Sequence, residues 1–325
     1  MIKKVFVHCN IPKELINKLE KFFTIKIHNS DETILTTKEL LEEASDYHAL
    51  ILQGNLVESP FIEKNKETLK VISNIAVGYD NIDMETATRY KIPVFNTPNI
   101  LDDAVADLTM GLLISVSRKI CEGHNYVIAD NWKKNSWPLF WGEDFNNENL
   151  GIIGLGNIGK QVAKRASSFG FEIFYNNRKQ LSGQEEKKHK VTFLKFEELL
   201  KNCKYIILTL PLNKSSYHLF NQKTFKLMRK DAYLFNVARG KIINEFDLVD
   251  ALKKKKIMGA GLDVFEFEPE VNKLLYKLKN VVLLPHMGSA TKKTRNEMMK
   301  LACNNLIDFV FENKLNNLVN KEIFQ

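Results

Sequence analysis

No uninterrupted apolar run in this sequence approaches the length of a membrane span, which argues against a transmembrane helix. The four cysteines, Cys9, Cys121, Cys203 and Cys303, are scattered and form no CxxC pair. That spacing offers neither a clustered thiolate site nor a disulfide framework, so reduced core thiols and no bound metal are expected. No internal repeat or low-complexity tract is present. The chain begins MIKKVFVHCN, strand-like almost from its first residue, which predicts no cleavable leader and a cytoplasmic protein. Acid is not in excess either: 47 Lys and Arg against 39 Asp and Glu leave a net charge of +8. The lysines are nevertheless spread out, and the one dense run, Lys253 to Lys256, closes a helix pattern where cations suit the dipole. A nucleic-acid surface is therefore not expected, and the diffuse field suits a small anionic substrate and a phosphorylated cofactor.

What is present is an alternation of strand and helix patterns over 325 residues, centred on Leu150 to Lys179, LGIIGLGNIGKQVAKRASSFGFEIFYNNRK. An apolar run, Leu150 to Ile153, turns through Gly154, Gly156 and Gly159 into a helix pattern on Ile158, Val162, Ala163 and Ala166, then a second strand, Phe171 to Tyr175. This is the dinucleotide-binding arrangement. Gly154 takes the tight turn, Gly156 admits a pyrophosphate, Gly159 brings helix onto strand, and the helix N-terminus at Asn157 and Ile158 offers its amides to the anion. The end of the second strand lacks a carboxylate, which an NAD site uses to hold the ribose 2′-hydroxyl. Asn176, Asn177, Arg178 and Lys179 stand there instead. Arg178 suits a 2′-phosphate in two-pronged geometry and Lys179 adds a point charge, so NADPH is expected over NADH, with NAD still possible. The alternative is that both cations are solvated loop charges.

Residues 1 to 98 read as strands Lys4 to Cys9, Thr24 to His28, Ala49 to Gln53, Val71 to Ala76 and Ile92 to Asn96, with helices at Pro12 to Phe22 and Thr37 to Glu43. Such alternation predicts a parallel sheet covered by helices. A helix pattern follows from Asp102 to about Asn125. Asn131 to Glu148 crowds Trp132, Trp137, Phe140 and Trp141 into a loop, which predicts contact with a cleft or a partner subunit, or local packing on the same chain. Beyond the glycine unit come a loop at Leu181 to Lys190, helices at Phe196 to Lys201 and Glu245 to Lys255, strands Tyr205 to Leu210, Ala232 to Asn236 and Asn280 to Leu284, and an amphipathic helix at Thr291 to Glu312. Ligands of open α/β sheets bind beyond the carboxyl ends of strands, where this chain places Arg239, Glu268 and His286. Those types suit reduction of a 2-keto acid. His286 donates the proton, Glu268 orients its ring and Arg239 holds the carboxylate, with the amides of Val77 and Gly78 as further anchors.

Six ordered stretches carry a resemblance: AVGYDNID (Ala76 to Asp83), NTPNILDDAVADLTMGLLI (Asn96 to Ile114), GIIGLGNIGKQVAKRASSFG (Gly151 to Gly170), NVARGKIINE (Asn236 to Glu245), AGLDVFEFEP (Ala260 to Pro269) and LLPHMGSAT (Leu283 to Thr291). Through them the chain resembles the D-isomer-specific 2-hydroxyacid dehydrogenases over nearly its whole length. Asn177, Arg178 and the aromatic loop are similar to the glyoxylate and hydroxypyruvate reductase branch. The resemblance implies two doubly wound α/β parallel-sheet domains with a cleft between: a flavodoxin-like substrate domain of residues 1–98 and 290–325, and a Rossmann cofactor domain of residues 99–289. It implies that Arg239 binds substrate, that Glu268 and His286 form the acid/base pair, and that Asp263 contacts the nicotinamide amide. Thr109, Pro211, Val237 and His286 are further expected cofactor contacts. A homodimer built on the cofactor domains is implied, with the Trp141 loop serving an active site in its own subunit or the neighbouring one. No C-terminal regulatory domain is expected. The implied activity is NADPH-dependent reduction of glyoxylate or hydroxypyruvate. The alternatives are 2-ketogluconate reductase, D-lactate or D-3-phosphoglycerate dehydrogenase, and a non-catalytic dinucleotide-sensing corepressor.

Overall fold

The computed structural model describes residues 2–28, 34–134 and 137–325. Two units are formed, residues 1–101 with 290–325 and residues 102–289. In the first, strands and helices alternate as β1 (Lys4–His8), α1 (Lys13–Glu20), β2 (Thr24–Ile27), α2 (Thr37–Ala44), β3 (Ala49–Leu52), α3 (Ser59–Asn65), β4 (Val71–Asn74), α4 (Met84–Arg89) and β5 (Val94–Phe95). The strands pair in parallel in the order β2-β1-β3-β4-β5, the flavodoxin-like order. Every residue of β3 and β4 is buried, as strands covered on both faces require.

The second unit contains α5 (Asp102–Ser117), α6 (Ile120–Ile128), β6 (Asn149–Ile153), α7 (Asn157–Ser167), β7 (Glu172–Asn176), α8 (Gly183–His189), β8 (Thr192–Phe193), α9 (Phe196–Asn202), β9 (Tyr205–Leu208), α10 (Gln222–Leu227), β10 (Tyr233–Asn236), α11 (Glu245–Lys253), β11 (Gly259–Leu262) and β12 (Val281–Leu283). Its seven strands run in the order β12-β11-β10-β9-β6-β7-β8, all parallel. The order reverses at β6, flanked by β7 and β9, so the doubly wound switch point falls at the glycine turn that follows it.

Two expectations need correction. The helix read from Asp102 to Asn125 is broken: Lys119 adopts a left-handed φ of 54°, and the Ser117 carbonyl accepts the Glu143 N–H at 3.1 Å. The loop read at Leu181 to Lys190 contains α8. Ser182 caps it through the Glu185 N–H, Glu185 and Glu186 fill the first turn, and Lys187, Lys188 and His189 fill the last, in favourable sense to the dipole. The base of the aromatic stretch is pinned by Lys204, a buried side chain whose Nζ lies 2.8 Å from both Glu143 Oε2 and Glu148 Oε1.

The chain then returns to the first unit through α12 (Lys292–Glu312), capped by Thr291. The Ser73 hydroxyl of β4 donates to the Ala302 carbonyl at 2.8 Å, fixing α12 on the sheet. Buried Asn320 closes the edge. Its Oδ1 accepts the Val94 N–H at 2.9 Å and its Nδ2 donates to the Ile92 carbonyl at 2.9 Å. Among the described residues no helix is long and apolar enough to cross a membrane.

Candidate active site

Three glycines after β6 do different work. Gly154 has φ 98°, and a Cβ there would lie 2.6 Å from the Leu210 backbone nitrogen. A Cβ on Gly159 would lie 2.6 Å from the Gly154 carbonyl oxygen, so only glycine lets α7 approach β6 this closely. At Gly156 a Cβ would meet no atom within 4 Å. That space opens at the start of α7, which has no side-chain cap. The first turn of a helix presents amides to its N-terminal end, and the dipole adds positive potential there. A pyrophosphate therefore fits the cradle by shape and charge.

Asn177, just past β7, accepts the Leu155 N–H at 2.7 Å on Oδ1 and donates from Nδ2 to the Leu155 carbonyl at 3.5 Å, so it braces the glycine turn. Arg178 and Lys179 beside it are exposed and make no ion pair among the described residues. Their loop is held from below. The Tyr175 hydroxyl accepts the Leu181 N–H at 2.9 Å and donates to Glu186 at 2.8 Å, and burial together with Glu186 pushes that phenol up to about 12.

Beyond β11 stands Asp263, 1% exposed. Its carboxylate accepts the N–H groups of Met287 and Gly288, each at 2.8 Å, and its carbonyl accepts the His286 N–H at 2.9 Å. Burial pushes its carboxyl up, and the two N–H donors and the His286 charge oppose that shift. The turn so formed holds His286 at φ 49°, a left-handed conformation that a non-glycine residue keeps only where its surroundings impose it. His286 Nδ1 lies 2.8 Å from Glu268 Oε2, and Glu268 Oε1 accepts the Phe265 N–H at 2.8 Å. Burial alone would raise the Glu268 carboxyl. The hydrogen bond and charge of His286, then the Phe265 N–H and the Arg239 charge, outweigh it and hold Glu268 below the ordinary 4.5. An anion is an acceptor only, so Nδ1 carries a proton and Nε2 is left as the ring's other working atom.

Arg239 follows β10. Its Nη1 donates to the Ala238 carbonyl at 2.8 Å. Asn236 braces this loop, accepting the Ala238 N–H at 3.1 Å and donating to the Arg239 carbonyl at 2.9 Å. Asn236 was not among the expected site residues; its signal in the sequence is a polar side chain closing the apolar run YLF. Arg239, Glu268 and His286 thus stand beyond the adjacent strands β10, β11 and β12 of one sheet. Val237 is buried beside them, and Pro211 is exposed just beyond β9. Thr109 is buried, its hydroxyl turned to the Val105 carbonyl within α5 at 2.6 Å. In the first unit, the carbonyls of Val77 and Gly78 accept the side chains of Asn96 and Asn74, each at 2.9 Å, and their N–H groups donate to no described residue. Trp141 is 66% exposed and donates from Nε1 to the Trp137 carbonyl at 2.8 Å. Asn135 and Ser136 of the same stretch lie outside the described residues. Among the described residues, no group of three His, Cys, Asp or Glu side chains is placed to hold a metal ion.

The family model for the NAD-binding domain of D-isomer-specific 2-hydroxyacid dehydrogenases matches residues 110–288. A glyoxylate reductase of Thermococcus litoralis is 43% identical over 328 residues, covering 99% of this chain and 98% of its own. The crystal structure of a glyoxylate reductase from Paecilomyces thermophila superposes with a TM-score of 0.89 at 30% identity, with 99% of each chain covered. That of an NADPH-dependent glyoxylate/hydroxypyruvate reductase from Sinorhizobium meliloti, in complex with NADP and malonate, gives 0.87 at 28% identity, covering 98% of this chain and 97% of that one.

Proposed function

The chain belongs to the D-isomer-specific 2-hydroxyacid dehydrogenases, in their glyoxylate reductase branch, and on that premise we propose that it reduces glyoxylate and hydroxypyruvate with NADPH. It is an NAD(P)-dependent oxidoreductase acting on 2-keto acids. The observation that carries the proposed mechanism is the 2.8 Å pairing of His286 with an ionised Glu268, one strand away from Arg239. When bound, the reduced nicotinamide supplies the hydride to the carbonyl carbon. Arg239 holds the substrate carboxylate in its planar fork. His286 passes the proton on Nε2 to the carbonyl oxygen, while Nδ1 stays on Glu268. Asp263 keeps the His286 turn in place.

NADPH is favoured by what is missing beside Asn177. No acid repels a 2′-phosphate, and Arg178 and Lys179 are uncommitted among the described residues. The Sinorhizobium enzyme, NADPH-dependent and crystallised with NADP, supports the same choice. A homodimer is part of the reading. α6 buries none of its residues although it carries Ile120, Val127 and Ile128, and Trp137 is 88% exposed, an apolar surface that a second copy of the chain would cover. So is a reducing, cytoplasmic setting, consistent with the exposed free thiol of Cys121.

Initial rates of cofactor oxidation with glyoxylate, hydroxypyruvate and 2-ketogluconate, each with NADPH and with NADH, test the proposal. Fast NADPH turnover of the two small keto acids is expected. Preference for 2-ketogluconate would overturn the substrate assignment, and preference for NADH would overturn the cofactor assignment.

A further inference from the structure

A second histidine and carboxylate pair lies beside the one assigned to catalysis. His218 Nε2 is 2.5 Å from Glu266 Oε1. Glu266 precedes Glu268 by two residues in the same turn, yet it is 6% exposed. Its second oxygen accepts the Glu245 N–H at 3.0 Å, and Glu245 Oε1 accepts the Glu266 N–H at 2.7 Å, a reciprocal clasp. Glu245 is 2% exposed, opens α11, and uses Oε2 to accept the Asn272 N–H at 3.4 Å. Burial pushes its carboxyl up, opposed by the N–H groups of Glu266 and Asn272.

The histidine end of this network is laced to the Arg239 loop. The His218 N–H donates to the Lys241 carbonyl at 2.9 Å, the Phe220 N–H to the Ile242 carbonyl at 3.0 Å, and the Asn244 N–H to the Phe220 carbonyl at 2.9 Å. Gly240, next to Arg239, lies so close that a Cβ would sit 1.8 Å from the Phe265 carbonyl. Residues 239–245 therefore ride directly on the turn that carries Glu268. An apolar core of equal volume would hold two loops together at least as well as buried ionisable groups do. What hydrogen bonds add is fixed length and direction.

We propose that His218, Glu266 and Glu245 are positioning residues that set the Arg239 loop against the Glu268 turn, so that the substrate-carboxylate anchor and the carboxylate steering His286 keep one spacing. The inference rests on the roles given above to Arg239, Glu268 and His286. It separates His218 from the cofactor cradle, because none of these bonds reaches Gly154, Gly156 or α7.

The test compares wild type with His218→Ala, His218→Gln and Glu266→Gln, measuring kcat and KM for glyoxylate, the NADPH dissociation constant by fluorescence titration, and thermal unfolding. His218→Ala and Glu266→Gln are expected to lower kcat/KM for glyoxylate by about 10- to 100-fold through misplacement of the reacting groups. The NADPH constant should stay within about twofold, well under the tenfold that 1.4 kcal/mol represents. His218→Gln retains a donor toward Glu266 and should recover most of the loss. If Glu266→Gln fails to fold, the His218 pair decides, since its ring is only partly buried. Wild-type kinetics in His218→Ala, no recovery in His218→Gln, or a loss that tracks NADPH affinity and unfolding temperature would overturn the inference alone. A wild-type protein that reduces no 2-keto acid would overturn the reading beneath it as well.

Discussion

Gly156→Ala isolates the cofactor cradle from the fold. The residue has φ −86° in an extended conformation that alanine adopts freely, and its Cβ would meet no protein atom within 4 Å. Folding should be unharmed, or strengthened by about 0.4–1 kcal/mol as the unfolded chain loses freedom. The methyl group would instead occupy the approach to the first amides of α7. Losing one charge-assisted hydrogen bond between those amides and a phosphate costs about 1.5–3 kcal/mol. That converts to a roughly 10- to 140-fold weaker NADPH dissociation constant. Fluorescence titration of NADPH, run beside thermal unfolding, measures both halves of the statement. Gly159→Ala is the contrasting control, because its Cβ would lie 2.6 Å from the Gly154 carbonyl oxygen and should damage folding and binding together. An unchanged NADPH constant in Gly156→Ala would refute the assignment of that space to the pyrophosphate. A fall in unfolding temperature equal to that of Gly159→Ala would refute the claim that the space is open.

The other expectations concern the chemistry. Arg178→Ala should weaken NADPH by about 10- to 100-fold, the range of a lost charge-assisted pair, and leave NADH nearly unaffected; equal effects in titrations of the two cofactors would return Arg178 to a surface charge. His286→Ala should lower kcat by about 10²- to 10⁴-fold, as loss of a general acid does, and still bind NADPH, so a large loss of cofactor affinity would sink the assignment. The depressed Glu268 carboxyl fixes the sign of its pH effect: its contribution to stability is complete above the ordinary 4.5 and drains away as pH falls through the lower folded value. The difference in unfolding free energy between wild type and Glu268→Gln should therefore be flat above 4.5 and shrink below it, and urea titrations showing it shrink near neutrality would contradict the pairing.

How far the site was legible depended on whether its information was local. The glycine turn and the strand-end positions of Arg239, Glu268 and His286 rest on spacings of a few residues, and they follow from the chain read in order. The break at Lys119 does not, because what takes up the Ser117 carbonyl is the N–H of Glu143, 26 positions downstream. α8 escaped for the opposite reason. It buries no residue, so it has no apolar periodicity, and only its cap and charge order betray it. The run Phe265, Glu266, Phe267, Glu268 shows two equivalent acids. Glu266 is the one turned inward, where it meets His218 and the Glu245 N–H, and the position of both beside that turn is a property of the fold. Asn177 likewise discloses its residue type in the sequence, and only the folded turn shows that its amide is committed to Leu155.

The return of α12 to β4 has a consequence for how the protein is made. Ser73 and Ala302, joined by a hydrogen bond, are 229 residues apart. All five strands of the first unit leave the ribosome before residues 102–289, yet the helix that covers β4 comes after them. At about 5–20 residues per second the interval is about 10–45 s, during which an apolar strand surface is without its cover. The second unit is contiguous and meets no such delay. Of the two units, the one begun first is thus completed second, and the nascent chain carries its sheet without the α12 cover while the nucleotide-binding unit closes.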